Sequence, residues 1–130
     1  MKIGAFVPQG WRMDLNGIEL ENQWDTIIST AKAIEDLNYT SVWVYDHFHT
    51  VPIPTQDPTY ECWSLMAALS QSTSKVRLGQ MCTCNSYRNP SYLTKVASNI
   101  DVMSGGRLEY AIGAGWYDQE YKAYGYNYPT

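Results

Sequence analysis

A chain of 130 residues that is 45% hydrophobic and 17% charged can bury one ordinary core, and this composition excludes a disordered chain. The net charge of −4 speaks against nucleic acid or an anionic membrane as the main partner, and no window approaches the roughly 20 apolar residues of a membrane span. The start, M-K-I-G-A-F-V-P, lacks the pattern of an export signal, and Cys62, Cys82 and Cys84 cannot all pair within one chain, so a reduced, cytoplasmic setting is expected.

Lys2–Val7 ends at Pro8 and reads as a first buried strand. Gln9–Glu21 is loop-like. Asn22–Leu37 places Trp24, Ile27, Ile28, Ala31, Ile34 and Leu37 at helical spacing, with Asn38 as the stop. Ser41–Tyr45, S-V-W-V-Y, is a second strand by its β-branched and aromatic content, and it runs into Asp46-His47-Phe48-His49. A loop with Pro52, Pro54 and Pro58 leads to a mostly buried helix over Glu61–Ser72. Val76–Cys82 is a third strand and Thr83–Asn89 a polar loop. Asn89 then caps a helix that begins at Pro90, turns Leu93, Val96, Ala97, Ile100 and Met103 inward, and stops at Gly105-Gly106. Leu108–Ile112 is strand four, and Asp118–Tyr124 a last helix before Gly125.

Strands alternating with helices imply a parallel sheet with right-handed crossovers. Two architectures fit: an open doubly wound sheet, or half of a (β/α)₈ barrel. A barrel usually takes about 250 residues, so length favours the open sheet. Half a barrel leaves strands one and four as bare edges, which predicts association into a homo-oligomer.

In either architecture ligands gather at the carboxyl ends of the strands. His47 sits there, and an imidazole is suited to exchanging protons near neutral pH. The competing reading makes Asp46 a turn cap and His47 a hydrogen-bonded loop residue. His47-x-His49 also invites a metal-dependent hydrolase, since alternate positions at a strand end face the same way. However, the chain has no other His, and the cysteines read better as buried small hydrophobes. Gly113-Ala114-Gly115 lets backbone approach a ring or phosphate closely, or makes a tight strand-to-helix turn. It is no dinucleotide fingerprint, because the position of the third Gly is Asp118. Arg88 reads better as part of a solvated helix start than as an anion contact. Arg107 reads as structural, pairing with Asp101 or with helix-end carbonyls.

Three stretches carry a more specific signal: V-W-V-Y-D-H-F, R-L-G-Q-M-C-T-C-N-S-Y-R-N-P, and D-V-M-S-G-G-R-L-E-Y-A-I-G-A-G-W-Y-D-Q-E-Y-K-A-Y-G. In this order and spacing they resemble the luciferase-like monooxygenase superfamily, and within it the oxidoreductases that use the deazaflavin coenzyme F420. The resemblance outweighs length. It implies that residues 1–130 are the amino-terminal portion of a (β/α)₈ barrel, about four parallel strands with alternating helices. The implied reaction is hydride transfer between reduced F420 and a small organic substrate. An FMN-dependent monooxygenase is the alternative within the family, and a non-enzymatic ligand-binding fragment the alternative outside it. By the same resemblance His47 is the proton donor or a cofactor contact, and Asp46 meets the deazaflavin ring. Met81–Cys82 is a non-prolyl cis peptide pressing on that ring. Cys84, Ala114, Gly115 and the Gln119 side chain are further cofactor contacts. Trp116 stands where certain members carry a catalytic Glu, so a sugar-phosphate dehydrogenase using that Glu is not expected; Trp116 walls the pocket instead. The family's phosphate-binding elements belong to later strands, beyond Thr130.

Overall fold

Alternating strand and helix units make up residues 1–128, the part of the chain that the computed structural model describes. The main sheet contains β1 (Gly4–Phe6), β2 (Ser41–Val44), β3 (Arg77–Gln80) and β5 (Leu108–Glu109) in that spatial order. All its pairs are parallel, with Gly4 opposite Ser41, Trp43 opposite Gly79 and Leu78 opposite Leu108. A doubly wound sheet reverses its strand order about a central switch point, whereas a barrel lays strands down in chain order. The observed order is the barrel's, and the architecture is a partial (β/α)₈ barrel.

Three helices cover one face: α1 (Leu20–Asp36), α2 (Cys62–Ser72) and α3 (Pro90–Ser104). Val42, Val44 and Leu78 point into that layer and meet Ile27, Ala31, Leu65, Met66, Leu69 and Ile100, all fully buried or nearly so. Apart from Ala31, each such side chain contributes roughly 1.5–3 kcal/mol of transfer free energy. The buried stripe of α1 is narrower than its sequence spacing predicts. It runs through Gln23, Ile27, Ala31 and Ile34, while Trp24 and Leu37 are exposed. Gln23 is tolerated inside because its Nε2 donates to the Ile18 carbonyl at 3.1 Å. In α3, Met103 is likewise exposed rather than inward. No described helix is long and apolar enough to cross a membrane.

The helix ends follow the local chemistry. Asn38 adopts φ 62° after α1, where the Tyr39 amide reaches the Ile34 carbonyl, a Schellman-type closure. The Asn89 side chain accepts from the Ser91 and Tyr92 amides, with Pro90 in the first helical position. Arg107 donates to the carbonyls of Ser70, Thr73, Val76 and Ser104, so it serves helix and loop ends and not Asp101.

Two expected segments divide. Strand three stops at Gln80 and resumes as β4 (Thr83–Cys84), which the sequence pattern assigns to loop. Strand four likewise splits into β5 and β6 (Ile112–Gly113). The same two chain segments pair again beyond the break, with Thr83 opposite Ile112. Met81–Cys82 lies at the break and is a cis peptide, as the family resemblance implies. A helix α4 (Asp118–Tyr124) closes the described chain.

Candidate active site at the strand ends

The carboxyl ends of the strands deliver three short segments to one place. Asp46 and His47 follow β2, Met81–Cys84 span the break between β3 and β4, and Gly113–Trp116 leave β6. Together they line a cavity of about 300 Å³. Seven of the eight site residues expected from the sequence meet there: Asp46, His47, Met81, Cys82, Cys84, Ala114 and Gly115. The eighth, Gln119, is exposed on α4 and does not line the cavity.

His47 is 9% exposed and held on three sides. Its Nδ1 lies 2.9 Å from Glu120 Oε2. The Trp11 ring stacks on it at 4.4 Å with the planes 1° apart, and the rings of Trp116 and Tyr117 approach edge-on. Two residues before Trp11, the buried amide of Gln9 bridges the N–H and carbonyl of Tyr45 and the carbonyl of Tyr60 at 2.7 Å each. That amide continues the backbone pairing of β1 and β2 past the point where the strands end.

Glu120 is fully buried and holds a full set of partners. Its Oε1 accepts from the amides of Phe48 at 2.6 Å and His49 at 2.9 Å, and its Oε2 from the Tyr87 hydroxyl at 2.6 Å besides His47. Burial alone would raise its pKa. The hydrogen bonds from His47, Tyr87 and the His49 amide outweigh burial and hold the carboxyl below its usual range. Tyr87 is pushed the other way, by burial first and then by its bond to that carboxylate, so it keeps its proton. Neither Glu120 nor Tyr87 is singled out in the sequence, and Trp11 is missed as well. One signal was available: Tyr117, Glu120, Tyr121 and Tyr124 fall at helical spacing, which puts a carboxylate on an otherwise aromatic face.

Asp46 is held from several sides. The Arg88 guanidinium grips it at 2.7 and 2.8 Å, the Cys84 amide donates to Oδ2 at 2.7 Å, and the Cys62 thiol reaches Oδ1 at 3.2 Å. Both oxygens accept from the protein, and these bonds fix the carboxylate in the cavity wall. Arg88 is therefore neither a solvated helix start nor a free anion contact; it also bonds Glu61 at 2.6 Å, which in turn caps α2. Asp46, Glu61 and Cys62 form the one cluster of metal-type ligands among the described residues, and Arg88 already occupies it. The His47-x-His49 pair is not part of that cluster.

The cysteines separate by environment. Cys62 and Cys84 are buried, and burial together with Asp46 pushes the Cys62 thiol well above its ordinary range. Cys82 is exposed at the cavity, against the expectation that all three are buried.

A planar ring system fits this lining. Met81 and Trp116 present exposed apolar surface, Ala114 is exposed, and the Nε2 edge of His47 has no protein partner among the described residues. No Lys or Arg lines the cavity, so a phosphate group has no counter-charge there. Gly115 holds φ +81°, and a Cβ there would strike the Tyr121 hydroxyl and lie 2.6 Å from Cys84 Sγ. Gly115→Ala is expected to destabilise the protein by more than about 1 kcal/mol and to displace the buried Tyr121 ring behind the cavity. Urea unfolding measures the first effect and tyrosine fluorescence the second.

A sequence profile of luciferase-like monooxygenases matches residues 1–130. Pyrimidine monooxygenase RutA of Serratia proteamaculans is 25% identical over 130 residues, covering 96% of this chain and 35% of that protein. Among solved structures, an F420-dependent secondary alcohol dehydrogenase in complex with an F420–acetone adduct aligns with 99% of this chain and 36% of its own, at 27% identity and TM-score 0.77. The oxygenating constituent of 3,6-diketocamphane monooxygenase of Pseudomonas putida, in complex with FMN, shares the fold at 20% identity and TM-score 0.75, over 96% of this chain and 32% of its own. The chain thus spans about a third of the length of the proteins it matches, and it belongs to the luciferase-like monooxygenase family.

Proposed function

We propose that this chain forms the part of an oxidoreductase active site that receives the cofactor ring, and that the ring is the deazaflavin of F420. The observation that carries the reading is the free Nε2 edge of a nearly buried His47, beside a cavity walled by Met81, Cys82 and Gly113–Trp116. Bound F420 would supply a hydride to, or take one from, a small organic substrate. The chain's own residues do the rest. Met81 and Trp116 exclude water from the ring. The side-chain-poor Gly113–Gly115 backbone permits close approach. His47 holds or releases a proton at Nε2, the charge balance that hydride transfer requires. The phosphate-bearing tail would be held by residues outside this cavity, in the remainder of the barrel.

FMN, with oxygen as co-substrate, is the second reading. The fold shared with an FMN-bound monooxygenase supports it. The higher identity to the F420-dependent alcohol dehydrogenase favours the first. Fluorescence titration of the protein with each cofactor separates them. We expect F420 to bind at least about tenfold more tightly than FMN, a difference of about 1.4 kcal/mol. Tighter binding of FMN moves the assignment to the monooxygenases, and failure of both to bind sinks the proposal.

A further inference from the structure

We infer that Glu120 is a positioning residue that fixes the tautomer of His47, so that neutral His47 carries its proton on Nδ1 and presents a bare Nε2 lone pair to the cavity. The inference deepens the proposed function and rests on it only for its catalytic meaning. An ionised carboxylate can only accept hydrogen bonds. Two backbone amides, of Phe48 and His49, converge on Glu120 Oε1 and the Tyr87 hydroxyl donates to Oε2, the surroundings of an ionised carboxylate. The contact at 2.9 Å to His47 Nδ1 is therefore favourable only with the proton on Nδ1. The alternative tautomer would set two lone pairs against each other in a site where Glu120 has no access to water.

The rest of the surroundings holds the ring in this pose. Trp11 lies flat on one face of the imidazole, and Trp116 and Tyr117 meet it edge-on, so turning the ring over would displace packed aromatics. Tyr87 keeps Oε2 in place from the far side, and the Phe48 and His49 amides fix Oε1 against the same loop that carries His47. The carboxylate thus reads two backbone positions and one ring nitrogen of a single turn. It gives His47 a defined proton-accepting atom, and once that atom is protonated it pairs with the resulting imidazolium.

The experiment is nuclear magnetic resonance of protein labelled with ¹⁵N-histidine, free of cofactor, with the two histidines told apart by a His49→Gln variant. Neutral His47 is expected to show a protonated Nδ1 and a bare Nε2. In Glu120→Gln the amide can keep its oxygen on the Phe48 and His49 amides and turn its NH₂ towards Nδ1, so the tautomer is expected to reverse. A wild-type His47 protonated on Nε2 overturns the inference without any variant, which keeps the test decisive should Glu120→Gln fail to fold. A folded Glu120→Gln protein with an unchanged tautomer overturns it too. In turnover assays Glu120→Gln is expected to lose at least about 100-fold in kcat with cofactor affinity within about threefold, since replacing the carboxylate that orients a catalytic His by its amide costs up to about 10⁴ elsewhere. If neither cofactor binds, the function proposal falls while the spectrum still decides the tautomer.

Discussion

Replacing His47 by Ala is expected to lower turnover by about 10² to 10⁴, the usual contribution of a positioned acid or base. The same change at His49 should cost less than about threefold. The two residues are neighbours in one loop, yet they face different surroundings. His47 is clamped between Glu120 and Trp11 and lines the cavity. His49 lies near Tyr124, its Nδ1 is buried without a partner among the described residues, and it does not line the cavity. Steady-state kinetics on both variants, with cofactor affinity measured alongside, gives the comparison. Equal losses would mean that the loop matters and the His47 imidazole does not. A loss in cofactor affinity alone would make His47 a binding residue only.

Arg88→Met is expected to be the most destabilising single change among the charged residues, by about 3–5 kcal/mol. The Asp46 side chain is 1% exposed and that of Arg88 12%, so removing the guanidinium strands a buried carboxylate. A second effect follows from connectivity. Asp46 also receives the Cys84 amide, and Glu61 joins Arg88 to the start of α2. The ion pair therefore ties the loop after β2, the start of β4 and the amino end of α2 to a common point. Adding Asp46→Asn to Arg88→Met removes the stranded charge and should restore part of the loss. Urea unfolding of the two single variants and the double variant completes the cycle, and strict additivity would show that the pair does not act as a unit.

Much of the framework was legible because it depends on neighbours in sequence. Asn38, Asn89, Pro90 and Gly105 mark helix ends through φ preferences and side-chain caps, which act over a few residues. The strand cores around Val42 and Leu78 were readable from composition. The split of strands three and four was not, because it reflects how two segments re-pair across a break and leaves no local composition signal. The site shows the same division. Residues at strand ends could be placed by topology and family likeness, and seven of them line one cavity. Gln119 could not be placed that way: which residue of a short helix turns inward depends on where α4 docks, and it is Glu120 that faces in. Asp46 was legible as a site residue but not as a saturated one, since its partners lie 16, 38 and 42 positions away.

The face of the sheet opposite the helices carries one more consequence. The Trp43 indole lies across its neighbours there. A methyl group at Gly4 would come within 2.5 Å of its Nε1, and one at Gly79 within 2.6 Å of its Cε3. One side chain thus fills the space that three adjacent strands would otherwise share. Residues 4, 43 and 79 form a single volume constraint, although long stretches of sequence separate them. Among relatives, a larger residue at position 4 or 79 should occur only where position 43 has shrunk. An engineered exchange at any one of the three should need a compensating exchange at another.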